Sequence, residues 1–253
     1  VTGSNPTSTA ETVTGTLTGN TAGGVGPMTY TLQSSATGTY GQLQLNANGQ
    51  YTYTLTSAPK TTPGADNGPN DVLGETFTYQ VKDSLGNTTT GSIKITIVDD
   101  VPTATADVRS GVEGDTITLN VLTNDVLGAD GGAAGGAVVG VQTTGNSLQN
   151  VPTNSSTVIN GLYGTLTLSA DGTAVYKSTP NLVTGATATD TFTYTIRDAD
   201  GDQSTTTVTF NLTDSGLKVT SDAAAKVFEN ALDTNKDGSD LAPGTVTGSN
   251  PTS

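Results

Sequence analysis

Apolar side chains recur at every second position in short runs along this chain. From Glu75 to Lys82, Phe77, Tyr79 and Val81 alternate with Thr76, Thr78 and Gln80, and beyond Asp83-Ser-Leu-Gly-Asn87 the alternation resumes at Ile93, Ile95 and Ile97. A period of two puts these residues on one face of a strand, so the stretch predicts a β-hairpin with one face in a core and the other in solvent. The pattern returns at Asp190-Thr-Phe-Thr-Tyr-Thr-Ile-Arg-Asp198-Ala-Asp200-Gly-Asp202, followed by Val208, Phe210 and Leu212. Phe77 matches Phe192, Tyr79 matches Tyr194 and Asp83 matches Asp198. Upstream of each hairpin lies a second shared segment, Gly41-Gln-Leu-Gln-Leu45 in one copy and Gly164-Thr-Leu-Thr-Leu168 in the other. The chain is a tandem of related units, and this internal repeat governs the reading of everything else.

Four short alternating runs between residues 9 and 57 predict four strands, and Ser57 to Val72, with Pro59, Pro63, Pro69 and no periodicity, predicts a loop. Asp99-Asp100-Val101-Pro102 predicts a short, semi-rigid linker, because the proline fixes its own φ and biases the residue before it toward extended conformations. Beyond it, Thr116 to Leu122 predicts the first strand of a second domain, leading into an acidic, glycine-rich loop with Asn124, Asp125 and Asp130. Further strands are expected near 138–143, 157–159, 166–168 and 174–177. Residues 1–100 and 101–216 are thus expected to be two β-sandwich domains in an elongated arrangement. Residues 217–253 are expected to be a linker, first strand and acidic loop of a next repeat. Val246 to Ser253 repeats Val1 to Ser8 letter for letter, which predicts a parent carrying this unit in series.

Composition strengthens the all-β reading. Threonine, β-branched and strand-favouring, is about one residue in five. The chain has no Cys, His or Trp, so disulfides, thiolate or imidazole metal sites and the usual nucleophilic dyads are out of reach. An enzyme is not expected. Nine Lys and Arg stand against 23 Asp and Glu, for a net charge of -14. That balance opposes nucleic acid and anionic membranes and favours cations. No apolar run is long enough to predict membrane insertion.

If the second strand of each hairpin runs down to its domain's exit, the hairpin turn sits at the entry. Asp198, Asp200 and Asp202 should therefore face the linker carboxylates Asp99 and Asp100. The loop bearing Asn124, Asp125 and Asp130, following what reads as the first strand, should lie at the exit beside Asp214. Carboxylates so crowded raise one another's pKa, and a hard dication relieves them. Ca²⁺ accepts six to eight oxygens in flexible geometry, which Asp-x-Asp-Gly-Asp can supply from one edge. Asp233-x-Asn235-x-Asp237-Gly238, with Asp240 close by, matches the first half of an EF-hand loop, although Gly244 stands where the bidentate Glu belongs. Asp-Gly and Asn-Gly are also ordinary turn formers, and for Asp83 and Asn87 that plain reading stands beside the metal one.

The segments Gly164 to Thr173 and Asp190 to Asp202 resemble the VCBS or cadherin-like repeats of giant type I-secreted bacterial adhesins, the RTX adhesins. Phe228-Glu-Asn-Ala-Leu232 and Ser8-Thr-Ala-Glu-Thr-Val-Thr-Gly15 resemble related repeats of the same proteins. The resemblance implies Ig-like sandwiches, calcium near the junctions, and an extracellular array on the bacterial surface that holds a distal ligand-binding domain away from the cell in adhesion and biofilm. Leu85 and Asn87 replace the middle and last Asp of the acidic turn, which sets the first hairpin apart from that pattern. The leading expectation is a calcium-stiffened extender whose partners are neighbouring repeats. The rival is a glycan- or ice-binding module using a threonine-rich face. By comparison with the second domain, the first lacks equivalents of Asp107 to Gly131, which recur after Ser215. That predicts head-to-tail self-association through residues 217–253.

Overall fold

The computed structural model describes residues 3–60 and 72–216 with Ala224 and Lys226, and it is all-β. Its strands are β1 (Thr12–Thr16), β2 (Thr29–Leu32), β3 (Gly41–Leu45), β4 (Gln50–Leu55), β5 (Val72–Lys82), β6 (Thr88–Val98), β7 (Asp107–Val112) and β8 (Thr116–Asn120). After one short 3₁₀ turn come β9 (Val138–Thr143), β10 (Gln149–Asn150), β11 (Ser156–Asn160), β12 (Gly164–Ser169), β13 (Thr173–Ser178), β14 (Thr187–Arg197) and β15 (Gln203–Thr213). All lie within one compact unit, Val1–Ser215.

β1-β4-β3 and β2-β5-β6 form one pair of sheets; β11-β12-β13-β8 and β10-β9-β14-β15-β7 form another. Each pair encloses its own core, the first around Leu43, Tyr53, Phe77, Tyr79 and Ile93, the second around Leu166, Tyr176, Phe192, Tyr194 and Phe210. These are the residues on the inward parity of the alternation, as expected when one face of each strand is removed from water. In the second core the Tyr176 and Phe210 rings stack at 4.2 Å and Phe192 meets both nearly edge-on.

The duplication is three-dimensional as well. β3, β4, β5 and β6 pair as β12, β13, β14 and β15 do, and the registers Phe77↔Ile93 and Phe192↔Val208 coincide. A buried hydroxyl-carboxylate pair recurs too: Tyr53 donates to Glu75 at 2.7 Å and Tyr176 to Asp190 at 2.6 Å. Backbone N–H groups satisfy the same carboxylates, Tyr40 on Glu75, Leu162 and Tyr163 on Asp190. Gly41 and Gly164 open these strands because each tyrosine hydroxyl crosses the space a Cβ would fill. Glycine there is a steric requirement that the shared Gly-x-Leu-x-Leu segment encodes.

One expectation fails in an instructive place. The residues ahead of Thr116, expected as linker before the first strand, form a strand of their own: β7 ends at Val112, and a turn with Gly114 at φ +87° reverses the chain into β8. Asp115 closes it, its amide donating to the Val112 carbonyl and its carboxylate accepting from the Val112 amide. β7 then pairs parallel with β15, whereas β8 pairs with β13 in the other sheet. In the first pair of sheets β1 occupies the place of β8, so an equivalent of that strand is present there, contrary to expectation. What β6 lacks, among the described residues, is a parallel neighbour of the β7 kind.

Candidate metal centre

The extra reversal decides where the acidic loop falls. Because β7 runs with β15, β8 runs back, and the loop after it returns to the end where β15 begins. The placement of Asn124, Asp125 and Asp130 beside Asp214 is therefore corrected. Asp130 lies with Asp99 and Asp200, their carboxylate oxygens within 4.8 Å of one another, and Asp198, Asp200 and Asp202 form a second such group. Asp200 belongs to both. Asp214 instead interacts with Glu113.

Each member reaches the cluster for a local reason. Asp198, Asp200 and Asp202 come from the β14–β15 turn, where the amides of Gly201 and Asp202 donate to Asp198 Oδ1 and the Asp198 amide donates to the Asp202 carbonyl. That leaves the remaining oxygens facing one another. Asp99 follows directly on β6, and the loop carrying Asp130 is fixed by the paired bridges Thr103↔Val126 and Gly132↔Asp198.

The three turn carboxylates are buried, at 1%, 4% and 5% relative exposure for Asp198, Asp200 and Asp202. Asp99 Oδ2, both oxygens of Asp130, Asp198 Oδ2 and Asp202 Oδ2 are buried with no hydrogen-bond partner. Buried anionic oxygens without donors are costly. The titration behaviour follows. Burial, then contact with Asp202 and the charges of Asp200 and Asp130, pushes Asp99 up to about 7. Burial, then the Asp200 charge, raises Asp130 to about 6, and burial with Asp200 raises Asp198 to about 7. A donor set of carboxylate oxygens alone, with neither nitrogen nor sulfur, suits a hard cation such as Ca²⁺.

These shifts fix a sign. With no metal present, carboxyls whose pKa is raised in the folded state above the ordinary 3.8 bind more protons folded than unfolded. Their contribution to stability is complete below that value and is lost as pH rises through about 7. The metal-free protein should therefore melt at higher temperature at pH 5.5 than at pH 7.5. Thermal melts in excess chelator decide it, and a melting temperature that rises between those pH values would contradict the clustering.

The other candidates are engaged elsewhere. Both oxygens of Asp100 accept from Ser4, one from its amide and one from its hydroxyl. Asn124 donates to the Thr105 and Ala106 carbonyls. Asp125 accepts from the Thr105 amide at 2.6 Å and meets the buried Tyr194 hydroxyl, on which Asp107 also converges. Asp233, Asn235, Asp237 and Asp240 lie outside the described residues. The first hairpin turn matches the second in its backbone and at Oδ1 and differs at Oδ2. Asp83 Oδ1 accepts from the amides of Leu85 and Asn87, and Oδ2 from the Val25 amide and the Asn87 side chain. Those bonds, the Asn87 side chain first, hold Asp83 below the usual carboxylate range, so its charge is already compensated.

Sequence reasoning missed Glu113, which accepts from the Leu182 and Val183 amides and from Ser215, and which these bonds hold below the usual range. Its signal was available in Val112-Glu113, which recurs as Phe228-Glu229.

Stacked sheets with alternating cores, antiparallel except where β7 joins β15, and duplicated along one chain define an Ig-like repeat. The bacterial Ig domain family profile matches residues 1–96 and again 99–211, and the chain belongs to that family. It is 33% identical over 157 residues to the calcium-binding lectin RapA2 of Rhizobium johnstonii (strain DSM 114642 / LMG 32736 / 3841), a match covering 61% of this chain and 63% of that protein. Among solved structures it is similar to protocadherin gamma C5 EC1-3 (12% identity, TM-score 0.30, 73% of this chain and 55% of that one). It is likewise similar to mouse cadherin-23 EC22-24 (16% identity, TM-score 0.26, 74% and 53%). The chain thus spans less than two thirds of the length of each.

Proposed function

We propose that the chain is an extender repeat of a bacterial surface adhesin in which Ca²⁺ ties the linker after β6 to the second pair of sheets. The observation that carries this reading is the set of buried carboxylate oxygens without donors at Asp99, Asp130, Asp198 and Asp202. Asp99 belongs to the linker, Asp130 to the loop after β8, and Asp198, Asp200 and Asp202 to the β14–β15 turn. Ions held across these segments would join all three. The relative described as a calcium-binding lectin supports the choice of cation. Long arrays of such repeats, exported by type I secretion as in the RTX adhesins, would hold a distal ligand-binding domain away from the cell, in adhesion and biofilm. Nothing in this role requires catalysis.

Calcium titration by calorimetry tests the reading. Saturable binding that raises the melting temperature, and that reverses the pH trend so that acidification from pH 7.5 to 5.5 destabilises the loaded protein, is the expected result. Heats no larger than dilution, with an unchanged melting temperature in excess calcium, would overturn it. The same relative's description as a lectin favours a second reading, a calcium-dependent glycan-binding module. Glycan-array binding by this chain that disappears on chelation would support it over the extender role.

A further inference from the structure

β15 is flanked on its outer edge by β7, in parallel, with Val208↔Asp107 through Thr213↔Val112 in register. β6 is the counterpart of β15 in every other pairing, yet among the described residues it has a strand on one side only, β5. Eleven residues long and inward-alternating with Ile93, Ile95 and Ile97 buried, it presents on its other side a row of backbone groups of the kind that templates another strand. Little on this edge discourages pairing: no proline interrupts it, and its one charged residue is Lys94.

The sequence contains a segment that fits. Ala223-Ala-Ala-Lys-Val-Phe-Glu229 parallels Asp107-Val-Arg-Ser-Gly-Val-Glu113, each closing on an apolar residue and a glutamate. We propose that the β6 edge binds a second copy of this chain by parallel strand addition, the occupant being residues 223–229 of that copy in the register β7 takes on β15. Main-chain hydrogen bonds would supply the affinity. The contact joins unlike surfaces of two copies, so it propagates head to tail.

The register makes the proposal specific. Asn211 pairs with Ser110; Thr96 is the counterpart of Asn211 and Lys226 that of Ser110, so Thr96 of one copy lies opposite Lys226 of the next. The chain has no cysteine, which allows single-thiol variants. Neighbouring strands stand about 4.8 Å apart, within the reach of a disulfide. Full-length Thr96→Cys mixed with full-length Lys226→Cys under mild oxidation should give the mixed dimer in clear excess over a Thr96→Cys and Ser249→Cys mixture. Light scattering on the unmodified chain should show mass rising with concentration. Val227→Pro, which removes a donor and fixes φ within the added strand, should shift that rise to at least about tenfold higher concentration, a loss of about 1.4 kcal/mol. Mixed-dimer yield no greater than the control, or a monomer at every concentration, overturns the proposal.

Discussion

Under the calcium reading, Asp200→Ala should abolish binding at both carboxylate groups, because Asp200 is the residue they share. Removing any one outer member, such as Asp202, leaves the other group's carboxylates in place, so its loss should reduce stoichiometry where the central loss should eliminate binding. Ca²⁺ affinity depends on the number of charged oxygens, and a drop of at least about 100-fold is expected for Asp200→Ala. Asp171→Ala is the matched control for charge. Asp171 sits in the β12–β13 turn, accepts from the Thr173 amide, and stands outside both groups. Calorimetry on the three variants separates the outcomes. Equal losses at Asp200 and Asp171 would mean that calcium answers to net charge and not to the cluster.

Phe210→Ala should be the most damaging single substitution in the second core. The ring is fully buried and lies against both Tyr176 and Phe192, so truncation loses its transfer free energy and leaves a cavity that two other rings cannot collapse to fill. A cost of about 3–5 kcal/mol is expected. One readout distinguishes the effect from global failure: the tyrosine pair in the first core, Tyr30 and Tyr79, should retain its near-ultraviolet signal at temperatures where the second core has melted. Chemical denaturation that shifts by less than about 1 kcal/mol would show that the site repacks.

Much of this architecture was legible because strand periodicity and internal duplication are properties of the sequence itself. Phe77, Tyr79, Phe192 and Tyr194 announced their hairpins, and the acidic turn announced its chemistry. The strand over Asp107 to Val112 was not legible: its stretch follows the linker without a clear alternation, and only the positive φ of Gly114 shows that the chain turns between it and β8. A single unseen reversal inverted the direction of β8 and moved a whole loop to the wrong end. The sequence accordingly points to Asp130 as a ligand but to Asp214, and not Asp99 and Asp200, as its neighbour. The capping of Asp83 escaped for a different reason. Three of its four bonds come from Leu85 and Asn87 within the turn, where Asn87 reads equally as a turn former, and the fourth comes from Val25, 58 residues away in the sequence, a contact that no local pattern encodes.

That capped turn has an implication for how the molecule would answer a falling cation concentration. The two matched turns satisfy Oδ1 of the same carboxylate alike, with backbone amides, and differ at Oδ2, which Val25 and Asn87 cap in the first and no donor caps in the second. Under the calcium reading, depletion would leave the Asp83 turn untouched and act at the Asp198 turn alone. The response would be concentrated at one point in each repeat unit, as a fuse concentrates failure, with the remaining length kept in shape for reloading.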